Sequence, residues 1–188
     1  MNLAENPMQT AVADFHRATD QPVGLTPALR DAPLRSALIA EEVTEAAIAL
    51  RAGEVRESAK ELCDVLYVVF GSAVTFGLTL LPLIPPVEPA EQPTLQDAEH
   101  WARLIEAFGD RACQAIAGDD LELVEIGLGL LAGAVLATGI ACGLRLEECF
   151  AIVHASNMTK IGGPVRPDGK RLKPATYRPA DLSEILPV

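Results

Sequence analysis

Apolar residues recur along this chain at helical spacing, in runs broken by glycine and proline, and nowhere alternate as in a strand. The pattern predicts a short first helix over residues 7–20, a Pro- and Gly-rich loop over 21–33, and helices over 34–52 and 54–76. Five prolines within 81–93 predict a linker. Further helices are expected over 95–117, 121–141 and 146–160. The expected fold is an all-α helical bundle.

Two of these helices carry an unusual set of acids. Glu45 and Glu61 each lie eight residues from Gly53, and Glu42 and Asp64 each lie eleven away. An antiparallel hairpin turning at Gly53 sets each pair level, roughly 12 to 16 Å from the turn at about 1.5 Å rise per residue. Within each helix the two carboxylates are three residues apart and share a face. Four acids on one seam repel one another and raise their own pKa values unless a cation holds them ionised. The simplest cation is a metal. His16, His100 and His154 all stand elsewhere in the sequence, so the histidine-containing set of di-iron bundles is not expected. An oxygen-only set favours Mg²⁺, with Mn²⁺ as a substitute. Glu41, one helical step round, can face a bound water and is the candidate general base. Against this stands the ordinary reading of Glu-rich helices, a solvated face paired with Lys or Arg. The apolar surroundings of Glu61 and Asp64 in KELCDVLYVVFGSAV weigh against it, because buried acids of one sign need a partner.

Composition narrows the classes. With 188 residues, 49% of them hydrophobic, the chain can bury a core. A formal charge of −11 argues against a nucleic-acid surface, which needs basic patches. Cys63, Cys113, Cys142 and Cys149 have no C-x-x-C spacing and are expected as reduced thiols. The N-terminal MNLAENPMQT lacks the pattern of a secretory signal, so a cytoplasmic location is the default. Residues 126–144 carry no charge and are long enough to span a membrane. Glycines 127, 129, 133, 139 and 143 in that run fit a close helix contact of the small-x-x-x-small kind. Burial in the middle of a bundle is the preferred reading, with no membrane partner.

An internal repeat supports that preference. Sliding the chain by 66 positions lays Leu38-Ile39 on Leu104-Ile105, Ala46 on Ala112, Leu62 on Leu128, Val69 on Val135 and Gly77-Leu78 on Gly143-Leu144. The second copy lacks the chemistry. Glu41, Glu42, Glu45, Glu61 and Asp64 become Ala107, Phe108, Arg111, Gly127 and Leu130. The expected organisation is a first copy over 1–80 with the acids, a linker over 81–93, a degenerate second copy over 94–160 packed more tightly as scaffold, and a basic tail over 161–188, all in one compact unit.

That tail, IGGPVRPDGKRLKPATYRPADL, sets Arg166, Lys170, Arg171, Lys173 and Arg178 against Asp168 and Asp181. It reads either as a solvated tail answering an acidic surface or as a flap closing over a polyphosphate. Phe15 is expected as a core anchor. Tyr67 and Trp101 are candidates for stacking on a base, with core packing the favoured role for each.

EEVTEA followed by KELCDVLYVV resembles the Glu-x-x-Glu and Glu-x-x-Asp signature of the all-α, MazG-like nucleoside triphosphate pyrophosphohydrolases, which include dimeric dUTPases and phosphoribosyl-ATP pyrophosphohydrolases. HASNMTKIGG with DGKRLKPATYRPADL is similar to the C-terminal block of a single-copy branch of that family. Together the motifs cover most of 8–80 and 143–182. In that branch both blocks belong to one copy, whereas here the first copy breaks off into the proline segment and the second runs on into SNMTK. The departure implies a fused pseudo-dimer, two MazG-like hairpins within one chain, with further homodimerisation open. Carried over, the resemblance implies Mg²⁺ on Glu42, Glu45, Glu61 and Asp64, a water oriented or deprotonated by Glu41, and nucleotide contacts from Asn157, Lys160, Lys170, Lys173 and Tyr177. The implied reaction is hydrolysis of a nucleoside triphosphate to monophosphate and pyrophosphate, with a deoxypyrimidine such as dUTP favoured. The alternatives are phosphoribosyl-ATP hydrolysis and a non-catalytic helical module that keeps the fold.

Overall fold

A computed structural model of the chain describes residues 6–24 and 32–186. Within them lie six helices, α1 (Pro7–Ala18), α2 (Ala32–Ala52), α3 (Val55–Phe76), α4 (Ala98–Ala117), α5 (Leu121–Ala141) and α6 (Leu146–Met158). Among the described residues no strand forms, and the only β feature is an isolated bridge between Val165 and Arg171. The expected loop over 21–33 lies largely outside the described residues.

Local chemistry sets the helix ends. Asn6 caps α1, its side chain accepting from the Met8 and Gln9 amides at 3.0 and 3.4 Å, with Pro7 at the first helical position. Gly53, at φ 75°, makes the left-handed turn between α2 and α3 that a side-chain-bearing residue resists. The fourth helix starts at Ala98, later than the expected 95, because Thr94 Oγ1 and the Leu95 carbonyl take the Gln96 and Ala98 amides in a turn first. The sixth ends at Met158, where Thr159 Oγ1 turns back to donate to the Ser156 carbonyl at 2.7 Å.

α2 packs against α3 and α4, α4 against α5, and α5 against α3, closing a four-helix layer that α1 and α6 extend on the open side of α3. α3 is the central element, with 16 of its 22 residues buried. Fully buried Leu62, Leu66, Phe70, Leu128, Leu131 and Ile105 join both hairpins into one core.

The segment after α3 is a strap laid along α5. The Leu83 amide donates to Gly129 O at 3.1 Å, Ala90 to Ile140 O at 3.2 Å and Thr94 to Cys142 O at 3.0 Å. A Cβ at Gly133 would stand 2.2 Å from the Leu83 carbonyl oxygen, and one at Gly143 2.7 Å from that of Gln92. This corrects the expected reading of the α5 glycines. Gly127 alone of that set meets a neighbouring helix backbone, its absent Cβ 3.2 Å from Ala112 Cα of α4. Gly129, Gly133 and Gly143 seat the strap, and Gly139 seats Leu146. By length and composition α5 could cross a membrane, but 67% of its apolar window is buried inside the fold.

After α6 the chain forms a short turn-back held by the Arg166 amide on Lys170 O and the Leu172 amide on Pro164 O, both at 2.8 Å. Arg171 ties it down, donating to the carbonyls of Thr19 and Gly163. Buried Leu182 and Leu186 then carry the tail back over the first hairpin, where Arg56 Nε meets Leu186 O at 2.7 Å.

Candidate active site

The turn at Gly53 brings Glu42 and Glu45 of α2 against Glu61 of α3, with one carboxylate oxygen from each within 4.8 Å of the other two. Glu61 is only 5% exposed and its Oε2 has no hydrogen-bond partner. Burial pushes the Glu42 carboxyl up to about 8, and the charges of Asp64, Glu45, Glu61 and Glu41 push in the same direction. Burial also raises Glu61, while the hydrogen bond from Lys60 opposes that rise. Asp64 lies one turn further along α3, outside the tight group but in the same cleft as Glu42 and Glu45.

Lys60 joins the site from outside the acidic pattern. Its ammonium contacts Glu61 Oε1, Asp64 Oδ2 at 3.1 Å and Glu57 Oε1 at 3.7 Å. Burial works against its charge, but Asp64 and Glu61 outweigh this and hold it above the ordinary lysine value. The signal lay inside KELCD, since a Lys four residues before an Asp on one helix is an ion-pair spacing. Two of the four acids therefore have a lysine partner. Among the described residues no ion pair engages Glu42 or Glu45.

The opposite wall comes from the far end of the chain. Glu41, Glu42, Glu45, Lys60 and Asp64 face Ser156, Asn157 and Lys160 of α6, and Lys170, Lys173 and Tyr177 of the tail, across one cleft. Lys170 Nζ reaches Glu41 Oε2 at 2.5 Å, so the candidate base and a candidate phosphate donor are each other's partner. The Lys160 and Lys173 ammonium groups lie 5.7 and 4.8 Å from the centre of the Tyr177 ring. Burial lowers the Lys160 pKa. Ser156 Oγ fixes the start of this wall by donating to Arg178 O at 2.6 Å.

The cleft continues inward past Glu42 and Asp64 to Phe15, His16, Gln21, Arg35, Leu38 and Tyr67. Two of the three histidines, His16 and His154, are thus closer than their sequence positions suggest. His16 lines this inner part, and His154 Nδ1 meets the Tyr67 hydroxyl at 3.1 Å. They arrive because α1 and α6 both pack on α3, a long-range arrangement that no local spacing encodes. Burial, and then the Arg35 charge, lower His16 to about 4, so the ring is neutral. Its Nδ1 lies 2.9 Å from the Pro22 carbonyl, which only accepts; Nδ1 therefore carries the proton and Nε2 is an acceptor. Phe15 is buried in the core as expected and also lines the cleft, edge-on to Tyr67 at 5.5 Å. Trp101 is half-buried on α4, against His100 and the core.

Residues 12–91 match the family model for phosphoribosyl-ATP pyrophosphohydrolase. The matched stretch, 80 of the 188 residues, is similar to an all-α, MazG-like domain. The match runs from within α1 through the acid-bearing hairpin and into the strap, so every proposed acidic ligand falls inside the MazG-like segment. It supports a nucleotide pyrophosphohydrolase-like activity, that of a hydrolase acting on an acid anhydride. No curated protein and no solved structure matches the chain.

Proposed function

We propose that the protein is an Mg²⁺-dependent nucleoside triphosphate pyrophosphohydrolase, acting in the cytoplasm on a deoxypyrimidine triphosphate such as dUTP. The observation that carries this reading is the cleft itself, with Glu41, Glu42, Glu45 and Asp64 on one wall and Lys160, Lys170 and Lys173 on the other. The donor set fits a hard divalent ion: an orphaned Glu61 Oε2, a Glu42 carboxyl whose ionisation is opposed by its neighbours, and no sulfur or nitrogen in the tight group. Glu42, Glu45, Glu61 and Asp64 would hold the ion, Mn²⁺ substituting. Bound there, it supplies charge neutralisation of phosphate oxygens and acidifies water.

The chain's own residues would do the rest. Lys160, Lys170 and Lys173 bind the polyphosphate as charged donors, and Asn157 and Tyr177 orient the nucleotide beside them. Lys170 exchanges its Glu41 partner for a phosphate oxygen, which frees Glu41 to take the proton of the attacking water. The water oxygen bonds to phosphorus as the phosphoanhydride bond breaks, giving nucleoside monophosphate and pyrophosphate. In this reading the chain is an intrachain pseudo-dimer, its first hairpin supplying acids and the end of its second half supplying donors.

A second reading has its own support. The matching family model favours phosphoribosyl-ATP as substrate. Pyrophosphate release with Mg²⁺, measured over canonical triphosphates, dUTP and phosphoribosyl-ATP, decides between them. Preference for a deoxypyrimidine supports the first, preference for phosphoribosyl-ATP the second, and no release from any substrate contradicts both.

A further inference from the structure

We propose that Lys60 is a built-in stand-in for the metal ion, its ammonium occupying the acid cluster until a divalent cation displaces it into the cleft. The inference rests on the metal-site reading above and adds to it a residue that sets metal affinity. Lys60 contacts Glu61 and Asp64, one from the tight oxygen group and one from the turn beyond it. A carboxylate that accepts from an ammonium on one oxygen has its charge partly neutralised and its orientation fixed by the lysine, so the two cations compete for the same acid groups. Lys60 is suited to leaving. Its side chain is 33% exposed, it lines the cleft, and its four-carbon stem lets the charged head move while the helix stays fixed. The cleft it would swing into is where the nucleotide phosphates are proposed to lie, so the displaced charge meets an anion.

The arrangement also bears on the burial of Glu61, which is only 5% exposed. One ammonium spanning three carboxylates offsets part of the mutual repulsion, at the side of the cluster where Glu61 is most deeply buried. Glu42 and Glu45, without such a partner, remain open to a second cation.

Calorimetric titration of Mn²⁺ into the full chain tests this. Lys60→Met should bind Mn²⁺ about tenfold tighter than wild type, a change of about 1.4 kcal/mol, and Lys60→Arg should stay near the wild-type value. Unchanged or weaker binding by Lys60→Met would overturn the inference while leaving the metal site in place. Absence of binding by wild type and variants alike would remove the site reading and this one together. Amine acetylation read by mass spectrometry covers the case in which Lys60→Met does not fold. Lys60 in the wild-type protein should become more reactive on Mn²⁺ loading, and should not change in Glu45→Ala. Equal or lower reactivity on loading contradicts displacement.

Discussion

The two hairpins of this protein spend the same interior line differently. On the offset of 66 positions Glu61 of α3 pairs with Gly127 of α5, and Ala46 of α2 with Ala112 of α4. In the first hairpin a buried carboxylate stands on that line, beside Glu42 and Glu45, which line a cleft. In the second, Gly127 lets α5 close on the Ala112 backbone, and the remaining α5 glycines admit a strap. The same contrast recurs lower down. Gly71 of α3 leaves the space taken by His16 and Arg35, whereas its counterpart on α5 is buried Ala137. One hairpin keeps room and charge on that line, and the other packs closed on it. Marginal stability makes such a division useful, because strain at a site must be offset elsewhere.

Three experiments bear on that contrast. The largest effect is expected for Glu41→Ala, which should lower turnover about 10²- to 10⁴-fold, the usual worth of a general base, while leaving metal-dependent nucleotide binding intact. Turnover at the parental rate would leave the first hairpin's acids without the assigned base. Next, Gly127→Glu places in the second hairpin the residue that stands 66 positions earlier in the first. With no cleft to receive it, the carboxylate is driven against Ala112, and urea unfolding should show a loss of roughly 3 to 5 kcal/mol. A change within about 0.5 kcal/mol would mean that the second hairpin is not closed on that line. The smallest concerns His16. Its folded value near 4 lies below the ordinary 6.5, so the unfolded chain binds the proton first and stability falls as pH drops from 6.5 through 4. The loss is at most about 3 kcal/mol. His16→Gln should flatten that part of the acid-unfolding profile, and an unchanged profile would show that the ring is not held neutral in the cleft.

Much of the first hairpin was legible in the sequence because local periodicity and one glycine determine it. Gly53 fixes the register, and the acids follow from helical rise alone. Lys60 stands in the same motif, four residues before Asp64, and its ion pair follows from that helical spacing. The strap could not be read in the same way. Prolines in 81–93 carry the composition of a free linker, and α5 glycines carry the spacing of a helix contact, yet the two segments satisfy each other through backbone hydrogen bonds. The pairing of Lys170 with Glu41 joins positions 129 residues apart, so it depends on where α6 and the tail dock and not on any local pattern. His16 is of the same kind, delivered by the packing of α1 against α3.

The most direct test is anomalous scattering at the manganese edge from crystals grown with Mn²⁺. The account predicts a peak among Glu42, Glu45, Glu61 and Asp64, with the Lys60 ammonium moved away from Glu61 and Asp64. Density showing those four acids without an ion, with Lys60 still bound between Glu61 and Asp64 at saturating Mn²⁺, would contradict it.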